Sequence, residues 1–195
     1  MTSESPKSEL HRDLQDARES LLWKLEGLPE YDIRRPMVPT GTNLLGLIKH
    51  VAINEAGYLG NTFGRPFEEL LPWFGDDAEV NADMWATADE TSEQITGLYR
   101  RVWAHSDATI AKLGLDAVGH VPWWGDANEV TLLRILVYVI AETNRHAGHA
   151  DIVRELIDGA VGWRKGDDSM APGDQAWWES NRHRLERTAE EAGLS

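Results

Sequence analysis

With 195 residues, 42 % hydrophobic content and no cysteine, the chain can build one domain with a sizeable core. It holds no disulfide, no thiolate metal ligand and no cysteine nucleophile of its own. A formal net charge of -14 repels phosphate backbones and anionic lipid, which argues against nucleic acid and membrane as partners. No apolar run approaches the roughly 20 residues needed to cross a bilayer, and MTSESPKSEL has no basic region ahead of an apolar core, so a cytoplasmic location is expected.

Residues 1–8 read as a disordered lead-in. Leu10, Leu14, Leu21, Leu25 and Leu28 then follow one helical face, which Gly27 and Pro29 end. The stretch IRRPMVPTGT is a loop. A second helix is predicted over 42–60, with Leu44, Leu47, Ile48, Val51 and Tyr58 on its apolar side and His50 at the edge. Gly64, Pro66, Pro72 and Gly75 break up the next segment, and 76–83 is an acidic loop. Thr87 and Glu90 have capping-box spacing for a third helix, continued by Ile95, Leu98, Val102 and Leu113.

Residues 114–128 form an irregular Gly- and Pro-containing connection. The fourth helix, over 129–159, is apolar almost all round in its first half. A polar link and a charged helix over 175–192 follow, the latter expected to pack on the outside through Trp177, Trp178 and Leu185. Period-2 alternation is nowhere sustained. The predicted fold is all-α: a four-helix bundle over 9–162 with a crossover connection, then a linker and an additional C-terminal helix over 163–195 packed on the bundle.

The second half of the fourth helix changes abruptly to Glu142, Asn144, Arg145, His146, His149, Asp151, Arg154 and Glu155. Glu142 and His146 lie four residues apart and share a face, and His149 continues the stripe. A carboxylate bordering a core needs a partner. One reading is a polar network inside the bundle, with Arg145 or another arginine. The other is a metal site, completed by His50 from the second helix: two nitrogens, one carboxylate and an open position. Such N/O ligands suit Zn2+, and also Ni2+, Fe2+ or Mn2+. His11, His105, His120 and His183 read as solvated surface. Among nine tryptophans, the pair Trp123 and Trp124 either walls a pocket or packs in the core.

The blocks LLWKLEGL, VPTGTNLLGLIKHVA and ETNRHAGHADIVREL resemble the actinobacterial branch of the DinB superfamily, over roughly 14–162. The resemblance implies a four-helix bundle, frequently dimeric, with a metal held by one residue of the second helix and two of the fourth. In thiol-dependent members, such as mycothiol-dependent maleylpyruvate isomerase, these are His, Glu and His; the matching positions are His50, Glu142 and His146. Many other DinB proteins have histidine in place of Glu142, so the carboxylate aligns the chain with the thiol-dependent subset. His149 matches a position often occupied by glutamine and is expected beside the ligands or facing substrate.

The isomerase carries a separate C-terminal domain that this chain replaces with a short tail, which favours a stand-alone transferase. The expected function is conjugation of a low-molecular-weight thiol, mycothiol by resemblance, to an electrophilic small molecule. Arg145, Arg154, His149, Trp123 and Trp124 are the candidate substrate contacts. A metal-dependent hydrolase on the same site and a non-catalytic, metal-stabilised stress-response bundle are the alternatives.

Overall fold

Capping chemistry fixes where the helices of this computed structural model begin. It describes residues 5–69, 71, 73, 78–167 and 170–194; residues 1–4 of the expected lead-in, and Pro72, Gly75, Asp76 and Asp77 of the expected breaks and acidic loop, lie outside the described residues. Helix α1 (Pro6–Leu22) opens earlier than the leucine spacing suggests. Ser5 accepts the Ser8 N–H through its side chain, and Pro6 occupies the first turn, where a missing N–H costs nothing. A short helix, α2 (Glu30–Arg34), follows Pro29. Helix α3 (Leu44–Leu59) is capped by Asn43, whose side chain accepts from the Gly46 N–H at 2.8 Å.

Helix α4 (Ser92–Lys112) starts one turn later than the Thr87 box predicts. Thr91 and Gln94 form the reciprocal box instead, while Glu90 accepts from Thr87 N and also meets Lys49, which holds that segment as a turn outside the helix. Helix α5 (Leu132–Asp158) runs from a Thr131 cap to Gly159, whose φ of 77° is the left-handed conformation that closes a helix.

Between α4 and α5 lies a small antiparallel hairpin, β1 (Val118–His120) and β2 (Glu129–Thr131), with Gly119 opposite Val130. Three-residue strands are too short to declare themselves by alternation, and the sequence gives no sign of them. Gly119 lies against the Thr62 carbonyl so closely that a β-carbon there would stand 2.6 Å from the oxygen.

Helices α1, α3, α4 and α5 make the bundle. Helix α1 packs on α5 and along α4, and α3 packs on α4 and α5. The consecutive pairs α1–α3 and α4–α5 are not packed neighbours, so connections 23–43 and 113–131 cross the bundle. This is the all-α, DinB-like bundle that the sequence predicts, with two crossing connections where one was expected. Leu21, Leu44, Leu47, Ile48, Val51, Tyr99 and Val153 fill one end of the core; Leu14, Leu59, Ile110, Leu132, Ile135 and Leu136 fill the other.

A charged group crosses the centre. Arg18 is fully buried; its Nε donates to Glu55 Oε2 at 3.0 Å and its Nη1 to Asp107 Oδ1 at 2.8 Å. No helix among the described residues is long and apolar enough to cross a membrane.

Helix α6 (Gln175–Gly193) has no buried residue, and Leu185 is 58 % exposed. A cleft of about 590 Å³ lined by Glu155, Val161, Trp178 and Leu185 separates it from the end of α5.

Candidate metal centre

Helix α3 presents His50, Asn54 and Tyr58 at four-residue steps, and α5 presents Tyr138, Glu142 and His146 likewise. The two helices are packed neighbours, so the two stripes face one another. One ligating atom from each of His50, Glu142 and His146 lies within 4.8 Å of the others. Glu142 Oε1 is 3.0 Å from His146 Nε2 and 3.7 Å from His50 Nε2. The two imidazoles meet edge to face at 4.7 Å.

The protonation of each ring follows from its partners. His50 Nδ1 lies 2.6 Å from Asp83 Oδ2, and an ionised carboxylate only accepts, so Nδ1 carries the proton. Nε2 then offers a lone pair, which the Asn54 amide meets at 2.7 Å. Burial, followed by the nearness of His50, pushes the His146 imidazole below its ordinary value and outweighs the opposite pull of Glu142. A ring kept neutral at pH 7 can serve as a ligand. Its Nδ1 is buried with no hydrogen-bond partner among the described residues.

Three ligating atoms therefore converge; His146 Nε2 donates to Glu142 Oε1 at 3.0 Å, and a cation would take the place of that one proton. Each is partly or wholly withdrawn from solvent, with Glu142 25 % and His50 22 % exposed. A divalent cation satisfies such a set; two imidazole nitrogens and a carboxylate are a donor complement zinc accepts while keeping a position open. The residues present fit the ion that the sequence resemblance implies.

The other sequence candidates separate. His149 is exposed, and its ring stands 5.3 Å from that of His146, beside the cluster. Arg145 is exposed on the same stretch of α5. Arg154 is committed elsewhere: it makes a bidentate pair with Asp158 at 2.9 and 2.7 Å and donates from Nη1 to the carbonyls of Lys24 and Glu26. Its guanidinium fastens the end of α5 to the segment after α1.

Trp123 and Trp124 both donate their indole N–H to Tyr58 Oη at 3.2 Å, and Tyr138 packs on Tyr58 at 4.6 Å. This aromatic group lies two turns beyond His50 on α3 and one turn before Glu142 on α5. Two groups in contact with His50 escape the sequence reading. Asn54 has a signal, since it follows His50 by one turn; Asp83, 33 residues away in a loop, has none. His11 and His105 are also engaged rather than simply solvated, with Asp107 and the Arg65 carbonyl respectively.

A solved structure of a conserved protein from Enterococcus faecalis is similar in fold, with a TM-score of 0.57 and 16 % sequence identity over 81 % of this chain and 100 % of that one. No curated protein matches the chain. A family model described as Mycothiol-S-transferase matches residues 9–159, all but the first turn of the bundle, including His50, Glu142 and His146. The chain belongs to the mycothiol S-transferase family of DinB-like proteins.

Proposed function

We propose that the protein is a divalent-metal-dependent S-transferase joining a low-molecular-weight thiol, mycothiol foremost, to an electrophilic small molecule. What carries the reading is the convergence of His50, Glu142 and His146 in a chain of this family. Zinc suits the donor set best, followed by nickel, iron and manganese. When bound, the cation supplies the charge that favours thiolate over thiol, and the thiolate is the nucleophile.

The chain's own residues then bind and orient. His50, Glu142 and His146 hold the cation, and Asp83 keeps the proton of His50 on Nδ1. His149, exposed beside His146, takes the proton released by the thiol and passes it to water. Arg145 offers a guanidinium to acidic or polar parts of the two substrates. The half-exposed Trp123 with Trp124 gives an apolar edge to the same side of the bundle. The sulfur bonds to an electrophilic carbon of an epoxide, activated halide or conjugated alkene. A halide leaves with the bonding pair; an epoxide C–O bond opens to an alkoxide that takes a proton from water; in a conjugated alkene the π pair shifts away from the attacked carbon and is protonated there. No side chain has to act as nucleophile, in keeping with a chain that has no cysteine.

The test is elemental analysis of untagged protein purified without chelator, alongside His50→Ala and Glu142→Gln, with a parallel assay of thiol consumption by 1-chloro-2,4-dinitrobenzene. About one equivalent of divalent metal in the wild type, lost in both variants together with mycothiol-dependent conjugation, is expected. A folded wild type that neither carries nor takes up zinc or nickel refutes the reading. Metal without thiol-dependent turnover moves the site to hydrolysis or to a structural role.

A further inference from the structure

Asp83 reaches His50 from outside the bundle helices, in the single turn Ala82–Met84. Three residues on one side of α3 and its cap hold this turn. Asn43 donates from Nδ2 to the Met84 carbonyl at 3.1 Å. Gly46 gives the same carbonyl bare backbone to lie on, and a β-carbon there would fall 1.8 Å from its oxygen. Lys49 is 3 % exposed; its Nζ donates to the Trp85 carbonyl at 2.9 Å, pairs with Glu90 and lies 4.1 Å from the Trp73 ring centroid. Withdrawing an ammonium from water is costly unless it is paired and hydrogen-bonded. Here that buried charge fastens a turn whose inward-reaching carboxylate meets the His50 ring.

We propose, on the basis of the metal reading above, that this turn is a positioning device for the cation site. Asp83 fixes His50 with its Nε2 lone pair toward Glu142 and His146, and Asn43, Gly46 and Lys49 fix Asp83. The sequential spacing 43, 46, 49 and 50 puts all four residues on the turn-facing side of α3. A carboxylate on the far nitrogen of a ligating imidazole settles its tautomer, holds its plane and raises its basicity, and loss of such a partner weakens metal binding about 10- to 100-fold. Gly46 is then a functional residue that touches no reacting atom: any side chain there displaces Met84 and, through it, Asp83.

The experiment uses the full chain and two readouts. Zinc affinity is measured by competition with a chromophoric chelator, and the His50 tautomer by imidazole 15N NMR on zinc-free protein. Asp83→Ala is expected to weaken zinc about 10- to 100-fold and to replace a single Nδ1–H tautomer by a mixture, with little change in the zinc-free melting temperature. Asp83→Asn, which keeps an acceptor without the charge, is expected to fall between. Gly46→Ala is expected to lose zinc affinity to a similar degree, and Gly46→Ala/Asp83→Ala to be no weaker than the worse single variant. Should Gly46→Ala not fold, Asn43→Ser keeps the helix cap while removing the hold on Met84.

Wild-type zinc affinity in Asp83→Ala, with the tautomer unchanged, overturns the proposal, as do additive losses in the double variant. A wild type that binds no zinc fails the metal reading itself, and the proposal falls with it. That outcome is distinct from a zinc-binding wild type indifferent to Asp83.

Discussion

Replacing Arg18 by methionine should be among the most destabilising single changes available in this bundle. Its guanidinium and the Glu55 carboxylate are both completely withdrawn from solvent and meet through two hydrogen bonds, while a third ties Arg18 to Asp107. Arg18→Met leaves Glu55 as a buried carboxylate with its main partner gone. Breaking a buried pair in this way costs about 3–5 kcal/mol. For a domain of this size each kcal/mol lowers Tm by roughly 2–4 °C, so a fall of about 6–20 °C is expected.

Removing both charges tells a different story. Arg18→Met/Glu55→Met exchanges the pair for apolar groups of similar bulk, and Asp107 still has His11 and Gln15. Most of the lost stability should return, since apolar replacements of buried pairs are often neutral or better. Urea unfolding followed by far-UV circular dichroism measures the single, the double and Glu55→Met as a mutant cycle. Arg18→Met costing less than about 1 kcal/mol, or a double variant as unstable as the single, refutes the reasoning.

Other expectations follow from single contacts. Burial alone would raise the Asp107 carboxyl, but Arg18 and then His11 outweigh it and hold it below its ordinary value of 3.8. Its stabilising contribution is therefore complete above that value and is lost as pH falls through the lower folded-state value; Asp107→Asn should flatten the acid limb of a Tm-against-pH curve, and an unchanged limb contradicts this. Asn54→Ala removes a donor that competes with a cation for His50 Nε2, so zinc affinity should rise about two- to tenfold, the equivalent of one neutral hydrogen bond; a loss would make Asn54 a supporting group instead. Thr91→Ala should cost about 1 kcal/mol in urea unfolding through loss of the α4 cap, whereas Thr87→Ala should cost less.

The four bundle helices are legible because their leucines and valines repeat at helical intervals over long stretches, and α5 is the clearest of them. Glu142 and His146 are legible for a related reason: a carboxylate and an imidazole one turn apart at the border of an apolar half-helix are conspicuous. His50 is not conspicuous alone; its place at the edge of a second apolar helix makes it a candidate, and the family resemblance strengthens it.

What the sequence hides depends on contacts between distant segments. Asp83 meets His50 because Gly46 leaves clearance for Met84, and no local pattern near residue 83 encodes that clearance. The start of α4 is misread because two capping sequences follow one another directly, Thr87 with Glu90 and Thr91 with Gln94. Glu90 keeps its bond to the Thr87 N–H but is also paired with Lys49, on another helix, a contact no local pattern announces. Arg154 has a partner four residues away, Asp158, and takes it.

The crossovers are what make the candidate site. Were the four bundle helices arranged around the core in chain order, α3 and α5 would stand on opposite corners, and His50 would face Glu142 and His146 across the full width of the bundle. Carrying connections 23–43 and 113–131 across the ends makes α3 and α5 packed neighbours and brings α1 and α3 to opposite corners instead. The same rearrangement creates a diagonal that must be filled, and Arg18 of α1 reaching Glu55 of α3 fills it with charge. Glu55 follows Asn54 directly in the chain. One turn of α3 therefore points one residue at the His50 ring and the next at the buried arginine. The ion pair at the centre and the donors at the edge are two consequences of one connectivity, and the rotation of α3 about its own axis sets both.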